Sequence, residues 1–370
     1  MLRKFRVSNF KGFGENFEFD FTNVNGYEFN KECVRNGVVN AALVYGHNGV
    51  GKSNLGLAIM DIVAHLTDKN IDESSYAQYL NAASSNKFAS FYFEFDIEKH
   101  IVIYQYDKAD LRTAIQEKLS IDGIVVAEMN RAISDNAIIN LQGAETLKRE
   151  LTNMRLSLIK YIKFNSQLED NVENNVFLKF YSFVDSMLFF RSLGNNMYLG
   201  LETGNNSIQE EIINRDNIEN FENFLNSAGI ECKLSKIEDL DKVELAFDFN
   251  GKLVPFIQVA STGTKSLAVF YYWFQRLREN NQVSFVFIDE FDAFYHHSLS
   301  AIIVEELKKT GVQFVLTTHN TSIITNDLLR PDCYFLMDKH EIRSLSNRTS
   351  KELREAHNIE KMYKAGSFNG

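Results

Sequence analysis

The sequence has few cysteines, no long apolar run and no excess of basic residues, and each lack excludes a class of protein. Its three cysteines lie far apart in 370 residues and form no C-x-x-C pair, so neither a disulfide framework nor a zinc site is expected. The basic start MLRKFRVSNF lacks the apolar core of a signal peptide, and no apolar stretch reaches membrane-spanning length. We therefore expect a cytoplasmic protein with no membrane partner.

The net charge of the chain indicates how readily it could bind nucleic acid. A formal net charge of −10 argues against a protein that coats nucleic acid through its overall charge. A local basic patch is compatible with that charge, so DNA stays open as a partner without being indicated. With 45% hydrophobic residues, the chain can fill the core of one large or two medium domains.

The most informative motif is GHNGVGKS, which lies between an apolar run and a stretch with helical spacing. Its glycines let backbone N–H groups turn toward a phosphate, and the helix start adds partial positive charge. Lys52 is expected to reach the β- and γ-phosphates, and Ser53 to bind Mg²⁺. The alternative, a glycine-rich turn that matches by accident, is disfavoured by the strand before it and the helix after it. The predicted nucleotide-binding residues are Gly46, His47, Asn48, Gly49, Val50, Gly51, Lys52 and Ser53.

The middle of the chain changes from strand to helix patterns. Residues 88–107 predict a hairpin that turns at 98–100, and a second hairpin turns at 122–123. From about residue 137 the spacing becomes helical, with apolar side chains at Leu147, Leu151, Met154 and Leu158. Because this repeat lasts only about two heptads, we expect helices that pack on the core rather than a coiled-coil arm.

The last third alternates strands and helices, which is the order of a P-loop α/β domain. After a hairpin that turns at residues 250–251, VSFVFID and VQFVLTTH are unalternating apolar runs. Such runs are typical of strands buried on both faces of a parallel sheet. The helix between them is expected to end at Gly311.

Acidic residues end the first of these strands. Hydrolysis needs one carboxylate near Mg²⁺ and a second to orient or deprotonate water, and adjacent Asp289 and Glu290 can serve both purposes. The alternative is a pair of surface acids that begins a loop. His319 follows the next strand, so the topology places it at the same sheet edge, although a lone histidine is more often structural.

The segment STGTKS, residues 261–266, precedes a run that reads as helical from about Leu267. Its small polar residues fit a second helix N-terminus that faces phosphate. One chain cannot easily use both helix starts for one phosphate. The usual solution in P-loop families is a dimer, in which this segment of one subunit closes over the nucleotide of the other.

Together, GHNGVGKS, STGTKS, FVFIDEFD, LTTHN and the N-terminal MLRKFRVSNFKGFG resemble the ABC-type ATPase heads of the SMC, RecF and OLD group. The resemblance covers residues 1–106 and 240–325. Within that group the chain looks most like the short bacterial AAA-type ATPase subunits of phage-defence modules such as Septu, PARIS and RloA-like systems.

The resemblance implies ATP and Mg²⁺ as cofactors and assigns roles to particular residues. Asp289 matches the Walker B acid and is a metal ligand together with Ser53, Glu290 matches the catalytic base, and His319 the switch histidine. Two further residues match the signature that contacts the γ-phosphate on the partner subunit, Ser261 and Gly263.

We therefore predict an α/β fold, a P-loop ABC-type ATPase head with an antiparallel β subdomain and a short helical insertion. Residues 1–106 would form the N-terminal half of the head with the phosphate loop, and 107–240 the β-hairpin and helical insertion. Residues 241–340 would form the C-terminal half with signature, Walker B motif and switch histidine, followed by a C-terminal tail at 341–370.

The function implied is that of a Mg²⁺-dependent ATPase that forms ATP-sandwich homodimers or higher homo-oligomers and controls an effector in antiphage defence by abortive infection. The effector would be a nuclease or toxin encoded nearby, because the 51 residues after His319 (370 − 319) are too few for a nuclease domain of ordinary size. The alternative is a DNA repair or chromosome-maintenance ATPase of the RecF/SMC type that acts on DNA directly. It would normally carry a long coiled coil or a basic DNA surface, and the sequence shows neither clearly.

Overall fold

The computed structural model describes residues 1–69, 72–152, 156–191, 198–200, 207–239, 242–278, 282–293 and 297–368. The strands are β1 (Leu2–Ser8), β2 (Phe17–Asp20), β3 (Val34–Arg35), β4 (Val38–Val39), β5 (Ala41–Tyr45), β6 (Ala89–Ile97), β7 (His100–Lys108), β8 (Ala114–Ile121), β9 (Ile124–Asn130), β10 (Ile138–Ile139), β11 (Met187–Arg191), β12 (Tyr198–Gly200), β13 (Leu234–Asp239), β14 (Lys242–Phe249), β15 (Lys252–Pro255), β16 (Phe285–Asp289), β17 (Gln313–Thr317), β18 (Tyr334–Met337) and β19 (Ile342–Ser344). The α-helices are α1 (Lys52–Leu66), α2 (Leu158–Asn165), α3 (Val172–Asp185), α4 (Ile208–Asn214), α5 (Ile218–Ser227), α6 (Phe256–Val259), α7 (Thr262–Arg278), α8 (His297–Thr310) and α9 (Ile359–Lys364).

A mostly parallel sheet forms the centre of the molecule. Its strand order is β12-β11-β16-β17-β5-β18-β19, in which β11, β16, β17, β5 and β18 run parallel and the two outer strands antiparallel. Every residue of β5, β16 and β17 is buried, because helices or the second sheet cover both faces. The predicted α/β class and the parallel sheet are confirmed.

A second, antiparallel sheet has the order β10-β9-β8-β7-β6-β1-β2. The predicted hairpins between β6 and β7 and between β8 and β9 are confirmed, and their turns have left-handed backbone at residues 98–99 and 122–123. The third predicted turn, Asn250–Gly251, joins β14 and β15 in a small sheet with β13. The second and third turns were predictable because Asn, Asp and Gly tolerate the left-handed backbone that tight hairpins need, whereas the first has Glu98 and Lys99 in that conformation.

Helix α1, which follows the phosphate loop, contacts both large sheets. A Cβ added to Gly56 would lie 2.5 Å from the Phe189 ring in β11 and 2.8 Å from the Phe287 ring in β16. On the other side, the Asp61 carboxylate accepts a hydrogen bond from Lys108 Nζ of β7 at 3.0 Å, and both side chains are fully buried. Burial lowers the pKa of Lys108, and the charge of Asp61 opposes that shift. The helix is therefore fixed in position by packing on one side and by a buried ion pair on the other.

The helical pattern predicted from residue 137 is wrong for its first part. Residues 138–139 form β10, and Leu147 and Leu151 lie outside any helix although both are buried. Backbone hydrogen bonds from Ala137 to Arg149 and from Leu151 to Asp135 instead fold this stretch back on itself, beside β9. Leu151 thus reaches the core through non-local pairing, and Leu147 lies in a turn that its N–H closes on the Ala144 carbonyl oxygen. A local spacing of three and four cannot distinguish either arrangement from a helix. Met154 lies outside the described residues.

Helices do follow, but later and with two strands of the central sheet, β11 and β12, after them. Helix α2 begins at Leu158 behind the capping residue Ser157, and α3 follows it. Strand β11 comes next, in the stretch 107–240 assigned to an insertion, and it pairs with β16 inside the central sheet. The division of the chain into segments stays a prediction.

No helix in the described part of the chain is both long and apolar enough to cross a membrane.

Candidate functional site

The predicted nucleotide-binding residues 46–53 form the connection from β5 to α1. Gly49 and Gly51 have φ of +81° and +106°, a left-handed backbone that favours glycine, and Gly51 caps the helix that begins at Lys52. A Cβ on Gly46 would lie 2.5 Å from the carbonyl oxygen of Met337. Residues 47–49 are exposed. The loop therefore has the conformation and the open tip that phosphate binding at a helix start requires.

Lys52 and His319, which come from different parts of the chain, contact each other at this edge of the sheet. Lys52 Nζ lies 2.8 Å from the carbonyl oxygen of Gly46 and 3.0 Å from His319 Nε2. Burial lowers the pKa of Lys52, and the carboxylates of Asp289 and Glu290 oppose that shift. Burial, and then the charge of Lys52, lower the pKa of His319. We therefore assign a neutral imidazole at pH 7, whose Nε2 accepts a hydrogen bond from the ammonium group.

Asp289 is fully buried at the end of β16, and the neighbouring strand orients it. Thr317 of β17 donates its hydroxyl proton to Asp289 Oδ1 at 2.7 Å, and the same hydroxyl accepts the backbone N–H of Glu290 at 2.7 Å. Asp289 Oδ2 makes no hydrogen bond within the described residues. One carboxylate oxygen is thus fixed, and the other keeps the capacity to bind a metal ion or its water.

Glu290 has an unusual backbone and a carboxylate oxygen without a partner. Its φ of +49° is left-handed, which costs a residue with a side chain about 1–2 kcal/mol. Its Oε2 is buried and has no hydrogen bond within the described residues. Strained backbone and partnerless carboxylates both concentrate at functional sites, because a packed fold must hold them against their cost.

Asp292, which the sequence did not single out, supports the same edge. Both of its carboxylate oxygens accept hydrogen bonds from Thr318 Oγ1, at 2.9 and 2.8 Å, and Ser300 Oγ donates at 3.1 Å. Burial raises the pKa of this carboxyl group. Since Thr318 precedes His319, this network fixes the backbone that carries the histidine.

Arg191 is the second residue that the sequence did not single out. It ends β11 in register with Asp289. Its Nε lies 3.1 Å from Asp289 Oδ2 in an ion pair, and its Nη2 donates to Ser53 Oγ at 3.3 Å. A signal existed in the sequence, since MLFFR is an apolar run that ends in a charge, as FVFID is. The helical pattern assigned to the preceding stretch obscured this strand.

The signature residues Ser261 and Gly263 lie at the start of α7. This helix begins at Thr262, earlier than the expected start near Leu267, because Ser261 Oγ accepts the backbone N–H of Thr264 at 3.1 Å and caps it. The expectation of a helix N-terminus at this segment is confirmed, and its start is corrected by five residues.

Helix α7 packs beside β11 of the central sheet. The ring of Trp273 stacks on Phe190 of β11 with centroids 6.2 Å apart. Across the described ranges, no hydrogen bond or ion pair joins Ser261 or Gly263 to residues 46–53. The phosphate loop, the acids and His319 thus converge within one chain, whereas the signature residues do not join them.

The donor set fits Mg²⁺ of the phosphate-loop type. A hydroxyl oxygen from Ser53 and a carboxylate oxygen from Asp289 are hard ligands, and Mg²⁺ usually takes only one or two protein ligands besides phosphates and water. The supporting observation is Asp289 Oδ2, which makes no hydrogen bond within the described residues and only an ion pair with Arg191. Within the described ranges, no group of three His, Cys, Asp or Glu residues could hold a metal by itself.

Comparison with known proteins gives a family and several similar folds. The family model described as "AAA domain, putative AbiEii toxin, Type IV TA system" matches residues 41–325. No curated protein matches the sequence. The fold prediction of a P-loop ATPase with mixed α/β sheets is therefore confirmed at the level of the family.

Three solved structures illustrate the similar folds. The SmcHead bound to the C-winged helix domain of ScpA is 17% identical with a TM-score of 0.48, over 93% of this chain and 97% of that one. The SMC head domain from Thermotoga maritima is 15% identical with a TM-score of 0.43, over 93% and 98%. The Smc head domain with an extended coiled coil, bound to the C-terminal domain of ScpA derived from Pyrococcus furiosus, is 14% identical with a TM-score of 0.45, over 94% and 97%.

Proposed function

We propose, from the premise that this chain belongs to the family described as AAA domain, putative AbiEii toxin, Type IV TA system, that it is a Mg²⁺-dependent ATPase. The observation that carries the proposal is the convergence at one sheet edge of a phosphate-loop lysine, a buried strand-end aspartate and a strained glutamate. Each of the two acids keeps one buried oxygen without a hydrogen bond in the described part of the chain.

Each of these residues has a defined task in hydrolysis. Mg²⁺, when bound, neutralises phosphate charge, and Ser53 Oγ and Asp289 Oδ2 are the atoms that would hold it. Lys52 exchanges its contact with the Gly46 carbonyl for the nucleotide phosphates. Glu290 Oε2 orients the attacking water and accepts its proton. A neutral His319 leaves the positive charge of the site on Lys52.

Replacing Glu290 tests the assignment of the base. The variant Glu290→Gln should bind ATP with unchanged affinity but hydrolyse it roughly a hundredfold more slowly, because an amide cannot accept the proton. Phosphate release under single-turnover conditions measures this rate. Glu18→Gln is the matched control, since Glu18 lies on the antiparallel sheet, paired with Arg6, and this change should leave the rate unaltered. Hydrolysis at the parental rate by Glu290→Gln would move the base to another residue.

We further propose that a second copy of the chain completes the site. Ser261 and Gly263 lie at the start of α7, which packs beside β11, and within the described residues no hydrogen bond or ion pair joins them to the phosphate loop. Exposed apolar side chains lie nearby at Ile257 and Val259, a composition that protein contacts usually cover. A dimer would bring this helix start to the nucleotide of the other subunit.

The biological role that we propose is the control of an effector in antiphage defence. The family description, with its toxin and type IV toxin–antitoxin system, supports that context. The nucleotide can act as a switch because a ligand that binds one state more tightly shifts the population toward it. The partner would be a nuclease or toxin encoded nearby.

Co-expression with the adjacent gene tests the role of the partner. Affinity purification of the wild type and of Glu290→Gln should recover the neighbouring protein, with a different yield in the ATP-trapped variant. Recovery in neither state, together with tight DNA binding and DNA-stimulated ATP turnover by the ATPase alone, would favour the DNA repair or chromosome-maintenance alternative.

A further inference from the structure

Arg191 contacts both protein residues that are candidates to hold Mg²⁺. Strands β11 and β16 are parallel and in register at Arg191 and Asp289, so both residues lie at the same sheet edge. The guanidinium reaches Asp289 Oδ2 through Nε at 3.1 Å and Ser53 Oγ through Nη2 at 3.3 Å. Ser53 belongs to α1 and Asp289 to the central sheet, so one arginine side chain joins the two.

The charges explain why an arginine lies there. The side chain of Asp289 is fully buried, whereas that of Arg191 is 33% exposed. A buried carboxylate is unstable without a counter-charge, and Lys52 is directed to Gly46 and His319 instead. The guanidinium of Arg191 therefore neutralises the Asp289 carboxylate. It lies next to the two oxygen atoms that would otherwise bind Mg²⁺.

The geometry of the ion pair makes it replaceable. Neither Arg191 Nε nor Asp289 Oδ2 meets hydrogen-bond geometry within the described residues, so the pair lacks the bidentate form that makes Arg–carboxylate contacts strong. The exposed third of the side chain gives the guanidinium a route toward solvent. A nucleotide would offer phosphate oxygens, which guanidinium groups bind well.

We propose that Arg191 competes with Mg²⁺ for Ser53 and Asp289, so that the metal enters efficiently only together with a nucleotide whose phosphates accept the guanidinium. Arg191 is then a positioning residue that couples metal binding to nucleotide binding. The inference rests on the proposed ATPase function, because it needs a Mg²⁺–nucleotide complex at this site. A purely structural Arg191 would instead stabilise the fold and leave metal affinity unchanged.

Metal binding by the protein alone distinguishes these two roles. Mn²⁺ serves as the probe, and its free concentration is followed by electron paramagnetic resonance. Without nucleotide, Arg191→Gln should bind Mn²⁺ roughly tenfold or more tightly than the wild type, since a positive charge beside the metal is removed. Adding Asp289→Asn to that variant should abolish the gain. Arg191→Lys, which keeps the charge, should show a smaller gain.

A matched control separates metal competition from the general loss of an ion pair. Arg3 pairs with Glu94 at 2.8 Å on the antiparallel sheet, so Arg3→Gln should leave Mn²⁺ affinity unaltered. If Arg191→Gln does not fold, as judged by thermal unfolding, Arg191→Met keeps the apolar stem of the side chain and supplies the same comparison.

The same variants are then titrated with ATP in Mg²⁺ and in EDTA. Competition predicts that Arg191→Gln needs less Mg²⁺ for half-maximal nucleotide binding than the wild type. Unchanged Mn²⁺ affinity in a folded variant, or an equal loss of ATP affinity in Mg²⁺ and in EDTA, would overturn the inference and leave the ATPase proposal intact. A wild type that binds no nucleotide in Mg²⁺ would overturn both.

Discussion

Because Lys52 contacts His319, we expect the stability of the protein to depend on pH through this histidine. Burial and the lysine charge both lower the pKa of His319 from its ordinary value of 6.5. The unfolded chain therefore takes up this proton at a pH where the folded protein still resists it. By linkage, the free energy of unfolding falls as the pH drops through about 6.5, because the unfolded state then binds more protons.

Replacing the histidine should remove that part of the pH dependence. Between about pH 8 and about pH 5, the wild type should lose more of its free energy of unfolding than His319→Gln, whose amide can still accept a hydrogen bond from Lys52. Urea unfolding at several pH values measures the difference. Parallel stability curves for the two proteins would show that the pKa of His319 is not lowered by folding.

Candidate site residues could be predicted where they are adjacent in the sequence, and not where only the fold brings them together. The phosphate loop and the strand-end acids are adjacent residues whose spacing carries their geometry, so they could be proposed as site residues from the sequence. Arg191 joins the site only through the pairing of β11 with β16, and Asp292 only through Thr318 and Ser300. Partners that are distant in sequence leave no spacing to recognise.

Helix α1 is the element on which the site depends most, because it carries Lys52 and Ser53 and lies against β11 and β16. It approaches the sheet closely at Gly56, where the rings of Phe189 and Phe287 leave no room for a side chain. Core positions tolerate added volume poorly, since packed interiors have few voids.

The variant Gly56→Ala tests this packing. Its Cβ would meet the two phenylalanine rings at 2.5 and 2.8 Å, and the free energy of unfolding should fall by about 1–3 kcal/mol. Gly26→Ala is the control, because a Cβ there meets no atom within 4 Å. Equal stability of the two variants in urea unfolding would contradict the close approach of α1 to the sheet.

Prediction of the elements succeeded where one local signal decides the structure. Turns at Asp122–Gly123 and Asn250–Gly251 have residues that suit a left-handed backbone, and unalternating apolar runs marked β16 and β17. It failed at Leu147 and Leu151, which are buried outside any helix, Leu151 by strand-like pairing with Asp135 and Leu147 in a turn.

At the scale of the whole molecule, the proposed site is divided between two copies. The phosphate loop and the acids lie on one copy, and the signature residues of the other would complete it. We expect neither half to require a change of fold, because Ser261, which caps α7, is exposed. The division predicts that two defective copies can complement each other.

Mixing two variants tests that division. Lys52→Ala removes the amine that we propose binds phosphate, and Ser261→Arg would obstruct the surface that we propose approaches the partner, so each alone should be inactive. In a random mixture, half of the dimers would be mixed and each would have one intact site of two, giving roughly a quarter of wild-type ATP turnover. A mixture as inactive as its components would count against assembly of the site from two copies.

The most direct test of the central claim is calorimetric titration of ATP in Mg²⁺ into the wild type and Lys52→Ala. The proposed function predicts saturable binding by the wild type and an affinity at least roughly a hundredfold weaker in the variant, because charge-assisted contacts to phosphate are lost. Lys309→Ala is the control, since Lys309 is an exposed residue of α8 paired with Glu306, and it should bind as the wild type does. A folded Lys52→Ala that binds ATP with wild-type affinity would contradict the claim that this loop holds the nucleotide.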